Sequence, residues 1–341
     1  YKIIKYEKKI INEDRYTLNY YRSIITDDNL DILSFSPPKS LNKNIFFLNY
    51  KEEDCIAEEF VEGTMINLFY DESLKKWQIA TKSSVGANIR YFKDQKNFNK
   101  LFEEVLEHLN IKLENFNKKF SYSFVMQHPE NRIVIKILEM KLFLIAIYQI
   151  DNKEVIEVKK SEYCNINLPD GLSYPYGHFI DSYENLIEYY GSMNTSVNIM
   201  GIVIKSKDGE RTKLRNPNYE YVKKLRGNNI KLQYQYLVLY KENKVNQYLF
   251  YYPENKKIFD EYQKNLHIFT KTLHVNYINC YVKKNKKLIE YPFQFRNHMY
   301  ALHQIYQKLR INNKVINLQE VIKYINNLES ARLMYSLNYH L

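Results

Sequence analysis

The spacing of apolar residues changes character once along this chain, and that change limits the folds open to it. Up to about Leu225, apolar residues alternate or come in short runs closed by turn residues, the pattern of β-strands. Strands are predicted at Arg22–Ile25, Ile32–Phe35, Met65–Tyr70, Trp77–Ala80, Phe120–Met126, Arg132–Leu138, Leu142–Ile150 and Ile199–Lys205. The turn 71–76 before Trp77 predicts a hairpin. Two stretches, Phe98–Leu109 and Tyr183–Tyr190, carry helical spacing instead. Beyond Leu232 the apolar residues recur at three and four, predicting helices at Tyr236–Tyr251, Glu254–Phe269, His298–Leu309 and Leu318–Leu328, the first of which also fits a pair of strands. Asn317 is a suitable N-cap for the last of these, with Glu320 at its third position. Lys283–Lys287 reads as a solvated hairpin turn. The fold class expected is α+β: antiparallel sheets with flanking helices, then a mainly helical domain, with the boundary near Gly227 (residues 1–226 and 227–341).

At 341 residues and 45% hydrophobic content, the chain can bury a large core. Its eight glycines, 33 tyrosines and abundant Asn, Lys and Ile point to an AT-rich genome, as a giant DNA virus would have. A net charge of +11 favours polyanionic partners. Lysines and arginines interleaved with tyrosines suit single-stranded nucleic acid, where cations pair phosphates and rings stack on bases. Cys55, Cys164 and Cys280 are far apart and lack metal-binding spacing, so structural zinc is not expected and a reducing, cytoplasmic setting is. The most apolar stretch, Leu142–Ile147, is too short to span a membrane.

Several segments bear on function in order. Glu59-Phe60-Val61-Glu62-Gly63-Thr64 has the frame of a K-x-D-G-[ST] motif. Tyr21-Arg22-Ser23-Ile24-Ile25 and Ser36-Pro37-Pro38-Lys39-Ser40-Leu41-Asn42 precede it, and Ile79-Ala80-Thr81-Lys82-Ser83-Ser84-Val85 follows. Further on come Ser123-Phe124-Val125-Met126-Gln127-His128-Pro129-Glu130-Asn131-Arg132-Ile133-Val134, Met200-Gly201-Ile202-Val203-Ile204, and Lys213-Leu214-Arg215-Asn216-Pro217-Asn218-Tyr219. As an ordered set, from about Tyr20 to about Tyr221, these resemble the motifs of bacteriophage-type RNA ligases. Pro129–Val134 and Lys213–Tyr219 are the specific members. The resemblance implies a ligase-type nucleotidyltransferase domain and, in an active relative, a lysine that attacks the α-phosphate of a nucleotide.

Against that family, Phe60 stands at the lysine position, and a phenyl ring has no lone pair to attack phosphorus. Val125 and Met200 stand where the resemblance places glutamates. Glu62 keeps an acid at the motif's Asp position, and Gly63 keeps its tight turn. Arg22, Lys39, Lys82, Arg132, Lys213 and Arg215 fall at positions that the resemblance assigns to phosphate or ribose contacts. Lys213 and Arg215, two apart, share one face of a presumed strand. Each of these cations taken singly is as readily a solvated surface charge or a partner for Glu62 or Glu130. His128, Asn131 and Arg132 are read as structural.

No residue is therefore assigned as catalytic, and no metal or cofactor is expected. The leading expectation is a degenerate RNA-ligase-like protein that binds RNA, or a nucleotide-bearing RNA end, through the retained cations. One alternative is an active ligase or capping-type nucleotidyltransferase with a relocated lysine, for which Lys39 and Lys82 are the candidates. Another is a scaffold subunit in a larger protein assembly, without nucleic-acid binding.

Overall fold

A computed structural model describes residues 1–7, 16–90, 96–229 and 231–339. The chain divides into two compact units, Tyr1–Lys224 and Leu225–Leu341.

The first unit is built on three sheets whose strand pairs are all antiparallel. A small sheet joins β1 (Lys2–Ile4), β2 (Ile24–Thr26) and β3 (Ile32–Phe35). Helix α1 (Lys43–Asn49) and β4 (Cys55–Glu59) follow, then β5 (Thr64–Asp71), β6 (Lys76–Thr81) and β7 (Ser84–Val85). Next come α2 (Phe98–His108), β8 (Phe120–Gln127), β9 (Lys141–Asp151) and β10 (Glu154–Glu157). The unit continues with β11 (Gly177–His178), α3 (Tyr183–Tyr190), β12 (Gly201–Ser206) and β13 (Arg211–Arg215). The order β10-β9-β8-β5-β6-β7 forms a six-stranded sheet, and β11-β4-β12-β13 a four-stranded one.

Alternation along the strands fixes which face each sheet buries. Ile66, Leu68, Tyr122, Phe124, Met126, Leu142 and Leu144 leave one face of the six-stranded sheet to meet Leu101, Phe102, Val105 and Leu106 of α2. These helix positions repeat at three and four, and Asn97 caps the helix by accepting from the Lys100 N–H at 2.8 Å. On the other face Phe35 meets Tyr148 edge-on, with ring centroids 5.0 Å apart. There Ser34 bonds Ser121, and Asn67 links Ser36 to Ser123. In the four-stranded sheet, Ala57, Ile202, Ile204 and Leu214 form the back face and pack on Phe46 of α1 and on Tyr183 and Leu186 of α3.

Residues 132–138 are not the predicted strand. They run without sheet partners, because the N–H groups of Ile133, Val134 and Ile135 all donate to the buried carboxylate of Glu62. A side chain has taken the donors that a ladder would need.

The second unit is helical: α5 (Leu232–Lys241), α6 (Val245–Tyr251), α7 (Lys256–Tyr277), α8 (Phe293–Leu309), α9 (Leu318–Asn327) and α10 (Ser330–Leu337). Before it, α4 (Pro217–Arg226) follows β13. The predicted helix over 236–251 is two, broken at Asn243, whose φ of 54° is left-handed. The Asn317 side chain accepts from the Glu320 N–H at 3.0 Å, as expected of the cap. Lys283–Lys287 is not a hairpin turn: it joins a π-helical turn, Ile278–Val282, to a short 3-10 turn, Leu288–Glu290. No helix among the described residues is long and apolar enough to cross a membrane.

Candidate functional site

Because β4, β12 and β13 pair in register, the residues opposite their apolar back face share one front face. Val203 lies opposite both Glu58 and Lys213, Lys205 opposite Ile56 and Arg211, and Gly201 opposite Arg215. The front face is thus a row of cations on β13, at residues 211, 213 and 215, spaced about 6.8 Å apart by strand geometry. Sequence reasoning named the second and third of these and missed Arg211, although the same alternation that linked the pair extends to it.

Phe60 follows β4 directly, its N–H donating to the Gly201 carbonyl at 3.2 Å. Its ring lies against the row: Lys213 Nζ is 4.1 Å from the ring centroid and Arg215 Cζ 5.5 Å. Burial, then Arg211, Arg22, Arg215 and Lys223, push the Lys213 ammonium down to about 6. The ring favours the charged form by about 0.5–2 kcal/mol, which is too little to offset burial and four cations together.

The two arginines are held by carbonyl oxygens rather than by ion pairs. Arg211 is 6% exposed, and its Nε and Nη2 donate to the carbonyls of Pro38 and Pro37. Arg22 donates to the same Pro37 oxygen at 3.2 Å. Among the described residues neither arginine forms an ion pair with a carboxylate, and neither does Lys213. Arg215 is exposed and pairs with Glu220 at 2.8 Å. Lys39 and Lys82 lie over the Tyr6 ring at 6.0 and 4.6 Å, and Tyr6 is within electrostatic reach of Arg22. The lysine in contact with Phe60 is therefore Lys213, which sequence reasoning did not consider as a relocated amine. Arg132 bonds the Val134 carbonyl at 3.0 Å.

Glu62 and Gly63 serve the backbone. Glu62 is 2% exposed, and its carboxylate accepts from three successive N–H groups. Gly63 has φ +154°, and a Cβ there would sit 2.4 Å from the Met126 carbonyl oxygen and 2.7 Å from Val125 Cγ1. Gly201 is tighter still, with 2.0 Å to the Leu214 oxygen. Val125 is buried and packs with Val61, Met65, Phe143 and Ile145, while Phe60 and Met200 are half-buried. Phe60, Val125 and Met200 thus do not form one sealed core: Val125 belongs to the six-stranded sheet, and the other two border the basic row. Asn131 donates to Thr64 Oγ1 at 2.7 Å. His128 is buried, accepting the Glu130 N–H on Nδ1 and donating from Nε2 to Glu104. Among the described residues, no three acidic, His or Cys side chains are grouped to hold a metal ion.

Beyond Glu58 the same face opens into a cleft of about 830 Å³. Glu58 is buried and pairs with Lys160 and with Lys205, the latter at 3.0 Å. Burial opposes its charge, but the two lysines prevail and hold the carboxyl below its usual range.

No protein-family model matches the chain. It is 23% identical over 208 residues to an immediate-early protein ICP-46 homolog of Invertebrate iridescent virus 3, covering 59% of this chain and 43% of that one. It is 28% identical over 155 residues to an RNA ligase of Rhodothermus phage RM378, covering 42% and 32%. The chain spans less than half the length of either relative. Among solved structures, two variants of Naegleria gruberi RNA ligase, one with ATP and Mn and one apo, are each 12% identical. Their TM-scores are 0.35 and 0.38, and they cover 48% and 57% of this chain and 50% and 56% of their own.

Proposed function

We propose that this chain, a member of the RNA-ligase-type nucleotidyltransferase family, binds RNA phosphates along the front face of its four-stranded sheet and forms no covalent nucleotide intermediate. The observation that carries this reading is the convergence of Arg22, Arg211 and Lys213 with no carboxylate paired to any of them among the described residues. Like charges brought together under burial repel, and a bound anion relieves the repulsion. Three cations evenly spaced along β13 suit a partner that is itself a row of anions. Arginine forks add bidentate contacts to phosphate. Phe60, Val125 and Met200 offer no hard oxygen ligands for a divalent cation.

The test is filter binding of a short single-stranded RNA across a salt series. If about four phosphates are neutralised, log affinity falls against log salt with a slope near −3, at roughly −0.7 per contact. Reversing Lys213 and Arg215 to Glu weakens binding to all sequences alike, since phosphate contacts position without specifying sequence. Equal binding by the wild type and the double reversal would make this face ordinary solvated surface and leave the scaffold reading.

A further inference from the structure

The front face of the four-stranded sheet is basic, but the edge of its back face is not. Register decides which side chains gather there. Gly177 of β11 lies opposite Glu58 and His178 opposite Ala57, and Ala57 belongs to the back face that α1 and α3 cover. By alternation Tyr176 and Glu59 point the same way as His178. The ring contacts agree. Tyr176 meets His178 with centroids 5.0 Å apart, His178 meets Tyr190 of α3 at 5.0 Å, and the Tyr190 hydroxyl lies 2.9 Å from His178 Nδ1. Glu59 is within electrostatic reach of His178. Three rings and a carboxylate thus share one edge, held against one another. Tyr176 and, at the end of α3, Tyr189 and Met193 are each about two-thirds exposed.

The sequence around this edge has a charge balance of its own. Between Lys160 and Lys205 the chain has no lysine or arginine, although these make up 50 of its 341 residues. The same stretch holds Glu162, Asp170, Asp181, Glu184 and Glu188. Among the described residues, none of Glu59, Asp181, Glu184 and Glu188 forms an ion pair. Asp181 and Glu184 suit the N-terminal end of α3. Glu188 stands in the last turn, where the helix dipole disfavours a carboxylate, and one turn from Glu184, which repels it. Burial lowers the pKa of His178 against the pull of Glu59, so the ring supplies no counter-charge at neutral pH.

We propose that this edge docks a basic segment of a partner protein, with an arginine or lysine over the Tyr176 and Tyr190 rings and against Glu59. An aromatic face attracts a cation, and more strongly as the pair leaves water. Exposed tyrosine and methionine are residue types that protein interfaces favour. Charge selects the occupant: the acids repel RNA, and a cationic segment relieves them. The chain as a whole, at +11, repels such a segment, so binding depends on this edge. The edge lies on the opposite face from the β13 row, and the proposal stands whether or not that row binds RNA.

The test is fluorescence anisotropy of a labelled peptide of alternating arginine and glycine, titrated with the full chain. A second peptide carries citrulline for arginine, which keeps the shape and removes the charge. The arginine peptide is expected to bind about tenfold or more tighter. Tyr176→Ala should weaken it by about fivefold or more, and Tyr176→Phe, which keeps the ring, by less than about twofold. Glu59→Gln should weaken it by about threefold or more. Tyr335→Ala, at an exposed position of α10, should bind as wild type does. Equal affinity for the two peptides, or for wild type and Tyr176→Ala, overturns the proposal. A Tyr176→Ala variant that keeps the peptide but loses single-stranded RNA also overturns it, and assigns these rings to base stacking. Sedimentation that shows wild-type self-association, abolished by Tyr176→Ala and without peptide binding, overturns it in favour of a second copy of this chain.

Discussion

Phe60, just past the end of β4, reaches across β12 to Lys213 of β13, whose amine lies 4.1 Å from the centre of the Phe60 ring. The ring that the motif resemblance sets at a lysine position thus touches a lysine of a neighbouring part of the sheet.

Neither ATP nor GTP with magnesium is expected to label the wild-type chain covalently. Loss of a covalent nucleophile costs on the order of 10⁴-fold or more in rate. Phe60→Lys alone is expected to stay unlabelled, because Val125 and Met200 are unchanged and the new ammonium would stand against Lys213 and Arg215. Denaturing gels with radiolabelled nucleotide check this. A labelled wild-type band would sink the reading, and mapping it to Lys213 would make that amine the replacement nucleophile.

If the β13 row binds phosphate as proposed, the depressed Lys213 ammonium is expected to make that binding pH-dependent. A bound phosphate raises its pKa, so binding takes up a proton, and affinity falls as pH rises above about 6. The limiting slope is about tenfold per pH unit. In the ligand-free protein the unfolded lysine, near 10.5, holds its proton more tightly than the folded one. Stability therefore rises with pH between about 6 and 10.5, and below about 6 the cost of the buried charge is fully present. RNA binding at fixed ionic strength from about pH 6.5 to pH 8 reads the first effect, and Lys213→Arg should flatten it, since arginine stays charged. A flat wild-type profile would contradict it.

Glu62→Ala is expected to destabilise the first unit by about 3 kcal/mol or more, since it strands three N–H groups that donate to a buried carboxylate. Glu62→Gln, which keeps one acceptor oxygen, should cost less. Urea unfolding measures both. Unchanged stability together with lost RNA binding would move Glu62 from the scaffold to the site.

His298 predicts acid lability in the second unit. It is 2% exposed. Ser336 donates to the Arg332 carbonyl and so accepts from His298 Nε2, while Tyr324 O–H donates to Nδ1. The ring is held neutral, and burial and Arg332 lower its pKa to about 4. Its contribution is present above 6.5, the unfolded value, and is lost as pH falls toward 4, amounting to about 3 kcal/mol at most. His298→Phe should lessen the loss of stability between about pH 7 and pH 4.5. Parallel losses in variant and wild type would assign the acid sensitivity elsewhere.

Periodicity made much of this legible. The α3 boundaries, Tyr183 and Tyr190, follow from apolar spacing alone, as does the face shared by Lys213 and Arg215. The failure at 132–138 has a different cause: no local pattern tells that a carboxylate seventy residues earlier will capture those amides. Glu58 escaped notice for a similar reason, since its partners Lys160 and Lys205 lie far along the chain. Pro37 and Pro38 were read as motif residues, while their part in the site is played by carbonyl oxygens that every sequence possesses.

Those two carbonyls have a kinetic consequence. Oxygen dipoles fasten Arg211 in place without an ion pair, so part of its charge, offset by Glu157 and Glu58, is left to act on the cleft. If the sheet binds RNA as proposed, a polyanion approaching it is expected to be drawn in before it makes contact. Encounter should then be fast at low ionic strength and slow steeply as salt is added, with Arg211 contributing to the rate of arrival as well as to the strength of the final complex.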